Sequence, residues 1–258
     1  MKSYTQITKR IFTLMLASLL LITVASVMYS CKKPGLTSEK FDASNLRVVN
    51  GLPGRTKVKF YLDSFNLTLT GTLDYGIVSP VYYVVKSGLR TAKFFSTTSL
   101  DTFAKKDIQL DANKSYTLFL GGAVGAPKYY YTEDDLTEAT PDKAKIRLAN
   151  LAVTGVNVDI TIQLVDPNLP VQPEVKVLSN IASESISNYV LATVPTSKGN
   201  TVAQRHTIRV YEAGTSNLLS SATGVDLRGT TINTFILTGI RGGSPSLALR
   251  SVTEWLDW

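Results

Sequence analysis

The chain has 258 residues, 44% of them hydrophobic and 18% charged, with 27 Lys and Arg against 20 Asp and Glu. Lys2, Lys9 and Arg10 supply part of that excess, so the net charge falls from +7 to +4 once residues 1–30 are set aside. The other basic residues are scattered singly rather than gathered in a stripe, which argues against nucleic acid as a partner, and a single cysteine, Cys31, excludes disulfides and thiolate metal sites from the rest of the chain.

Behind the basic start, Ile11 to Val27 is a continuous apolar run, and small or weakly polar residues lead to Cys31 in the pattern of a secretory signal. Met28-Tyr29-Ser30-Cys31 resembles a bacterial lipobox, with Met28 in place of the usual Leu and a bulky Tyr29, and is closest to the looser lipoboxes of Bacteroidetes-type bacteria. That resemblance implies acylation of the Cys31 sulfur and cleavage before it, so residues 1–30 are expected to be a signal peptide and 31–43 a lipidated tether. An uncleaved anchor stays open: Ile11 to Cys31 is uncharged and would reach about 32 Å as a helix. Either way the body is tethered to a membrane. Lys32 and Lys33 follow the anchor in place of a retention aspartate or an acidic export tract, implying the outer membrane, with the periplasmic face preferred over the cell surface.

Downstream, the chain repeats itself. Leu46-Arg47-Val48-Val49-Asn50 and Ile146-Arg147-Leu148-Ala149-Asn150 carry one pattern one hundred positions apart, and Val58–Leu62 matches Val158–Ile162. Tyr82-Tyr83-Val84 aligns with Asn188-Tyr189-Val190, and Tyr116–Gly122 with Asn233–Gly239. The drift in spacing is assigned to an insertion at Asp166–Pro173, whose prolines cannot donate ladder hydrogen bonds. Apolar residues alternate with period two, as in Val58, Phe60 and Leu62, and glycines punctuate the runs at hairpin spacing. The expectation is an all-β chain of two tandem antiparallel β-sandwiches of immunoglobulin-like type, over 44–138 and 142–258, each strand with one wet face. The joint, Glu133 to Lys143, reads as a short capped turn or helix, and the copies are expected to abut.

The tandem Leu-Arg-Val-Val-Asn-Gly-Leu-Pro-Gly and Ile-Arg-Leu-Ala-Asn-Leu openings, Asp74-Tyr75-Gly76 and Glu133-Asp134-Asp135-Leu136 resemble the DUF4397 family of exported bacterial proteins. The likeness is best over residues 44 to 150. It implies a β-sandwich module of the cell envelope and brings no catalytic residues with it.

Candidate sites are few. His206, the sole histidine, sits in an alternating strand without a nucleophile elbow, and reads as a wet-face residue. Glu133, Asp134, Asp135, Glu138 and Asp142 offer oxygen ligands for calcium but lack the spacing of a dedicated loop, so no metal site is assigned. Tyr129 and Tyr131 share one strand face, and exposed rings there would stack on sugars, with Tyr82, Tyr83, Trp255 and Trp258 as possible neighbours. The reading is a non-enzymatic envelope lipoprotein without a cofactor, serving as a binding or structural module for a glycan or an envelope protein, or alternatively as a carbohydrate-binding accessory of a glycan uptake system.

Overall fold

The computed structural model describes residues 42–69, 71–98, 101–123, 125–165, 170–194 and 205–254. Cys31 with its leader and most of its tether, the first part of the proline-rich insertion, Trp255 and Trp258 lie outside the described residues. The first copy comprises β1 (Ala43–Asn50), β2 (Lys57–Leu62), β3 (Phe65–Asn66), β4 (Leu73–Asp74), β5 (Ile77–Val78), β6 (Tyr83–Lys86), β7 (Gly88–Ser96), β8 (Thr102–Leu110), β9 (Ser115–Ala123) and β10 (Ala126–Glu133). The second comprises β11 (Lys143–Asn150), β12 (Val158–Leu164), β13 (Val175–Ile181), β14 (Ser185–Ile186), β15 (Val190–Thr193), β16 (Arg205–Glu212), β17 (Leu218–Asp226), β18 (Ile232–Thr238) and β19 (Ala248–Thr253).

Each copy is a sandwich of two sheets. In the first, an inner sheet in the order β10-β9-β1-β5, with β6 also on β1, faces an outer sheet β3-β2-β7-β8, with β4 on β2. In the second, the inner sheet is β14-β11-β18-β19, with β15 on β11, and the outer sheet is β13-β12-β16-β17. Alternate residues of the facing strands fill each core: Leu46, Val48, Phe60, Phe94 and Leu118 in one, Ile146, Leu148, Ile160, Ile208 and Phe235 in the other. The all-β sandwich expectation holds, with no helix among the described residues. The first difference is one of detail at the joint, where Asp134–Thr140 is irregular chain and Pro141-Asp142 a turn closed by the Lys143 N–H on the Thr140 carbonyl at 2.9 Å, so of the expected turn or helix only the turn forms.

The second difference is in the inner sheets. β1 pairs β9 in parallel, and β11 pairs β18 in parallel, whereas the other strand pairs are antiparallel. Parallel pairs belong where both faces are covered, and these are: every residue of β18 is buried, as are all of β9 except its last and all of β11 except its first. The wet face expected of Arg47 and Val49 does not exist. The inner sheets stack on each other through Val49, Phe119, Ala149, Leu151 and Ile236, with Val78, Tyr130, Ile186 and Val252 around them. The layers therefore run outer, inner, inner, outer.

Gly51 marks how close the inner sheets come. A Cβ there would meet Leu151 Cδ1 at 2.4 Å and the Leu120 carbonyl at 3.1 Å. Gly51→Ala is expected to destabilise the protein by about 1–3 kcal/mol through overpacking, and by less in a Leu151→Ala background, as read by urea unfolding of both.

Candidate functional site

The inner faces carry charge as well as apolar side chains. Arg47 and Arg147 occupy the same place in the two repeats: Arg47 lies opposite Thr117 of β9, and Arg147 opposite Thr234 of β18. On strands whose even-numbered residues fill the cores, both side chains must enter the space between the sheets. The acids that meet them are also equivalent. Asp134 donates its N–H to the Ser115 carbonyl and Glu254 to that of Ile232, one residue beyond the last ladder pair in each copy.

The pairing is crossed. Arg47 Nη1 of the first copy reaches Glu254 Oε2 of the second at 3.1 Å, while Arg147 Nη2 of the second reaches Asp134 Oδ1 of the first at 2.7 Å and Glu254 Oε1 at 3.3 Å. Such reciprocity is the signature of a twofold interface, here built within one chain. All four groups are at most 6% exposed. Thr117 donates to Asp134 at 2.6 Å, Thr234 donates to Glu254 while accepting from Arg147 Nε at 2.8 Å, and Arg147 Nη1 donates to Thr132 at 2.8 Å. The Tyr82 hydroxyl lies within hydrogen-bond reach of both carboxylates, 2.9 Å from Asp134 and 2.5 Å from Glu254.

Aromatic rings cap both cations. Arg47 Cζ stands 4.0 Å from the Tyr82 centroid and Arg147 Cζ 4.5 Å from that of Tyr189. This equivalence corrects the repeat alignment by one residue. Tyr83 lies opposite Leu46 and Val190 opposite Ile146, so Tyr82 corresponds to Tyr189, and the earlier pairing of Tyr83 with Tyr189 would have put the ring on the wrong face. Burial, aided by the Glu254 charge, raises the Asp134 carboxyl above its ordinary value although Arg147 pulls it down. Burial opposes the charge of Arg147, but Asp134, Tyr189 and Glu254 outweigh it and its pKa rises. Burial also raises the hydroxyls of Tyr82 and Tyr189.

Beside this lock opens a cleft of about 790 Å³ between the sandwiches. Its walls are the loop leading from β5 to β6, strand β17 and strand β19. These strands stand at sheet edges, so each has backbone groups without a ladder partner on one side. Val81 and Val84 are exposed in it at 50% and 67%, and Asn45, Thr223, Arg250, Ser251 and Thr253 give it a polar side. Gly76, the last residue of Asp74-Tyr75-Gly76, lines it too. Gly76 has φ +72°, and Arg250 Nε lies 3.1 Å from where its Cβ would be, so the guanidinium of the second copy rests on the backbone of the first.

The residues singled out from sequence fall elsewhere. Tyr129 and Tyr131 are half-buried against the first core, neither presenting an exposed ring: Tyr131 stacks on Tyr116 at 5.0 Å and donates to the Gln109 carbonyl, and Tyr129 packs 6.1 Å from Phe94. Tyr130 turns into the layer between the sheets. Burial pushes the hydroxyls of Tyr129 and Tyr130 up to about 12. His206 is not a wet-face residue but fully buried on the core side of β16. Of the acidic cluster, Asp134 belongs to the lock, Asp135 pairs with Lys145 at 2.6 Å and Glu133 with Lys114 at 2.8 Å. Among the described residues no group of three potential ligands gathers to hold a metal. Glu254 was missed altogether. The available signal was that Thr132-Glu133-Asp134 and Val252-Thr253-Glu254 end equivalent strands with an acid.

Residues 44–161 match the family model described as a domain of unknown function, DUF4397. The match spans the first sandwich and runs through β11 into β12. No curated protein matches the chain. Among solved structures, CBMbc (family CBM26) from Eubacterium rectale Amy13K in complex with maltoheptaose is similar over 83% of this chain and 98% of that one. The identity is 9% and the TM-score 0.26, a likeness too slight to carry an inference.

Arg147→Met should cost about 3–5 kcal/mol in urea unfolding, because it strands a buried carboxylate without its cation. Asp134 in that variant is raised further above its unfolded value, so the folded state holds the proton more tightly. Stability should therefore recover as pH falls and be lost as pH rises through the raised pKa. A pH-independent loss would contradict the assignment.

Proposed function

We propose that the protein is a non-enzymatic binding module of the cell envelope, held to a membrane by acylated Cys31, and that it receives an extended ligand in the cleft between its sandwiches. The observation that carries this reading is the cleft itself, rigidly floored by the buried ion lock and walled by strand edges. An edge strand offers N–H and C=O groups at regular spacing to an incoming peptide, and the valines beside it supply pockets for alternate side chains. His206, the sole imidazole of the chain, is fully buried, which speaks against its service as a general base. For the anchor, the support is the lipobox-like Met28–Cys31 and the apolar leader before it, and the support for an outer-membrane site, periplasmic face preferred, is that Lys32 and Lys33 stand in place of a retention aspartate or an acidic export tract.

A glycan is the second reading. It is favoured by the hydroxyl, amide and guanidinium groups of Thr223, Ser251, Thr253, Asn45 and Arg250 along one side of the cleft, which suit sugar hydroxyls. The two readings are separable by screening the full-length chain in detergent against a glycan array and a displayed peptide library. Arg250→Ala and Val84→Asp, both at exposed positions, should weaken any true cleft ligand at least tenfold, about 1.4 kcal/mol. Binders indifferent to both substitutions, or no binders in either library, would refute the cleft as the binding site.

A further inference from the structure

The two outer sheets are equivalent, yet their solvent faces differ in charge. On the second, acids answer the cations: Lys176 Nζ lies 2.6 Å from Asp159 and Arg209 Nη1 lies 2.7 Å from Glu174. The register places Lys59 where Asp159 stands, since Lys59 lies opposite Phe95 and Asp159 opposite Tyr211, and it places Lys93 where Arg209 stands. Lys57, Lys59, Lys93 and Lys105 thus share the outer face of β2, β7 and β8, with Tyr61 and Phe95 among them at 4.6 Å.

Carboxylates stand near this face too, Asp63 among them, which pairs with Arg90 at 3.3 Å. Asp74 lies opposite Lys57, and Asp107 accepts from the Thr91 hydroxyl at 2.7 Å. Among the described residues Lys57, Lys59, Lys105 and the adjoining exposed Lys106 make no ion pair, and Lys93 donates to the Asp63 carbonyl. Exposed apolar side chains border this sheet: Phe65 and Leu69, each 74% exposed, on the β2 side and Leu89, at 69%, on β7. The Leu69 loop is pre-set. Leu69 has φ 50°, and Asn66 holds the turn by donating to the Leu69 carbonyl at 2.7 Å and accepting from Thr68.

We infer that the outer face of the first sandwich lies on an anionic lipid surface. Lysines held near such a surface contribute about 1 kcal/mol each, and the field fades within about 8 Å at physiological salt, so only a face in contact gains from it. Phe65, Leu69 and Leu89 at the border of this face suit the headgroup boundary. The twelve residues from Cys31 to Ala43 span at most about 40 Å. That length lets the body lie down on the leaflet that holds its anchor. The inference rests on the proposed Cys31 anchor but not on the cleft, and is tested separately from both.

The test is amine-reactive footprinting of the full-length chain reconstituted in vesicles of phosphatidylcholine alone or mixed with phosphatidylglycerol, read by peptide mass spectrometry. Lys57, Lys59 and Lys105 should label at least about threefold more slowly on the mixed vesicles, and high salt should restore their reactivity. Lys176, on the far outer sheet, should be unchanged. Lys59→Asp with Lys105→Glu should abolish protection of Lys57 without altering Lys176. Equal labelling on both vesicles would overturn the inference, as would protection by soluble dextran sulfate on neutral vesicles with none from phosphatidylglycerol.

Discussion

Two guanidinium groups and two carboxylates are buried together between stacked sheets, and their pairing ties the sandwiches to each other. Arg47 is paired by Glu254 of the other copy, and Arg147 by Asp134 of the other copy as well as by Glu254 of its own. Burying four charges costs several kcal/mol apiece unless each finds a partner and further hydrogen bonds. Thr117, Thr132, Thr234 and Tyr82 supply those bonds to Asp134, Arg147 and Glu254, while Arg47, whose Nε has no hydrogen-bond partner, is covered by the Tyr82 ring. A buried ion network adds little stability over an apolar equivalent, and we assign this one to orientation, because a different docking of the two sheets would leave its charges unpaired.

From that constraint follow the parallel strand pairs and the position of the cleft. Once the inner sheets are pressed together, β1, β9, β11 and β18 are covered on both faces, the environment in which parallel ladders occur. The apolar layer of Val49, Phe119, Ala149 and Ile236 then surrounds the charges and keeps water from screening them. The edges β17 and β19 are left facing the β5–β6 loop across a gap whose width the lock sets. A cleft between two freely moving sandwiches would have to be ordered by whatever entered it, whereas this one is formed in advance.

The repeat and the sandwich architecture were legible because they rest on local signals: period-two alternation, glycine punctuation and one motif appearing twice. What stayed hidden depended on contacts between the copies. Arg47 looked like an exposed strand residue because alternation reports which residues oppose the core, and says nothing about whether a second body covers the opposite face. Tyr129 and Tyr131 were read as exposed rings sharing one strand face for the same reason, although Tyr116 and Phe94 partly cover them. Asp134 resembled a helix-start acid because the chain around it is acidic, and its burial is decided by Arg147, close in sequence but on the other sandwich. The slip between Tyr83 and Tyr189 shows how a one-residue alignment error reverses a strand residue's face.

If the crossed pairs bind the sandwiches into one cooperative body, amide hydrogen exchange of the full-length chain should give β1, β9, β11 and β18 a common opening free energy, all four losing protection together as denaturant is raised. Exchange of β11 and β18 through an opening that leaves β1 and β9 protected would contradict it.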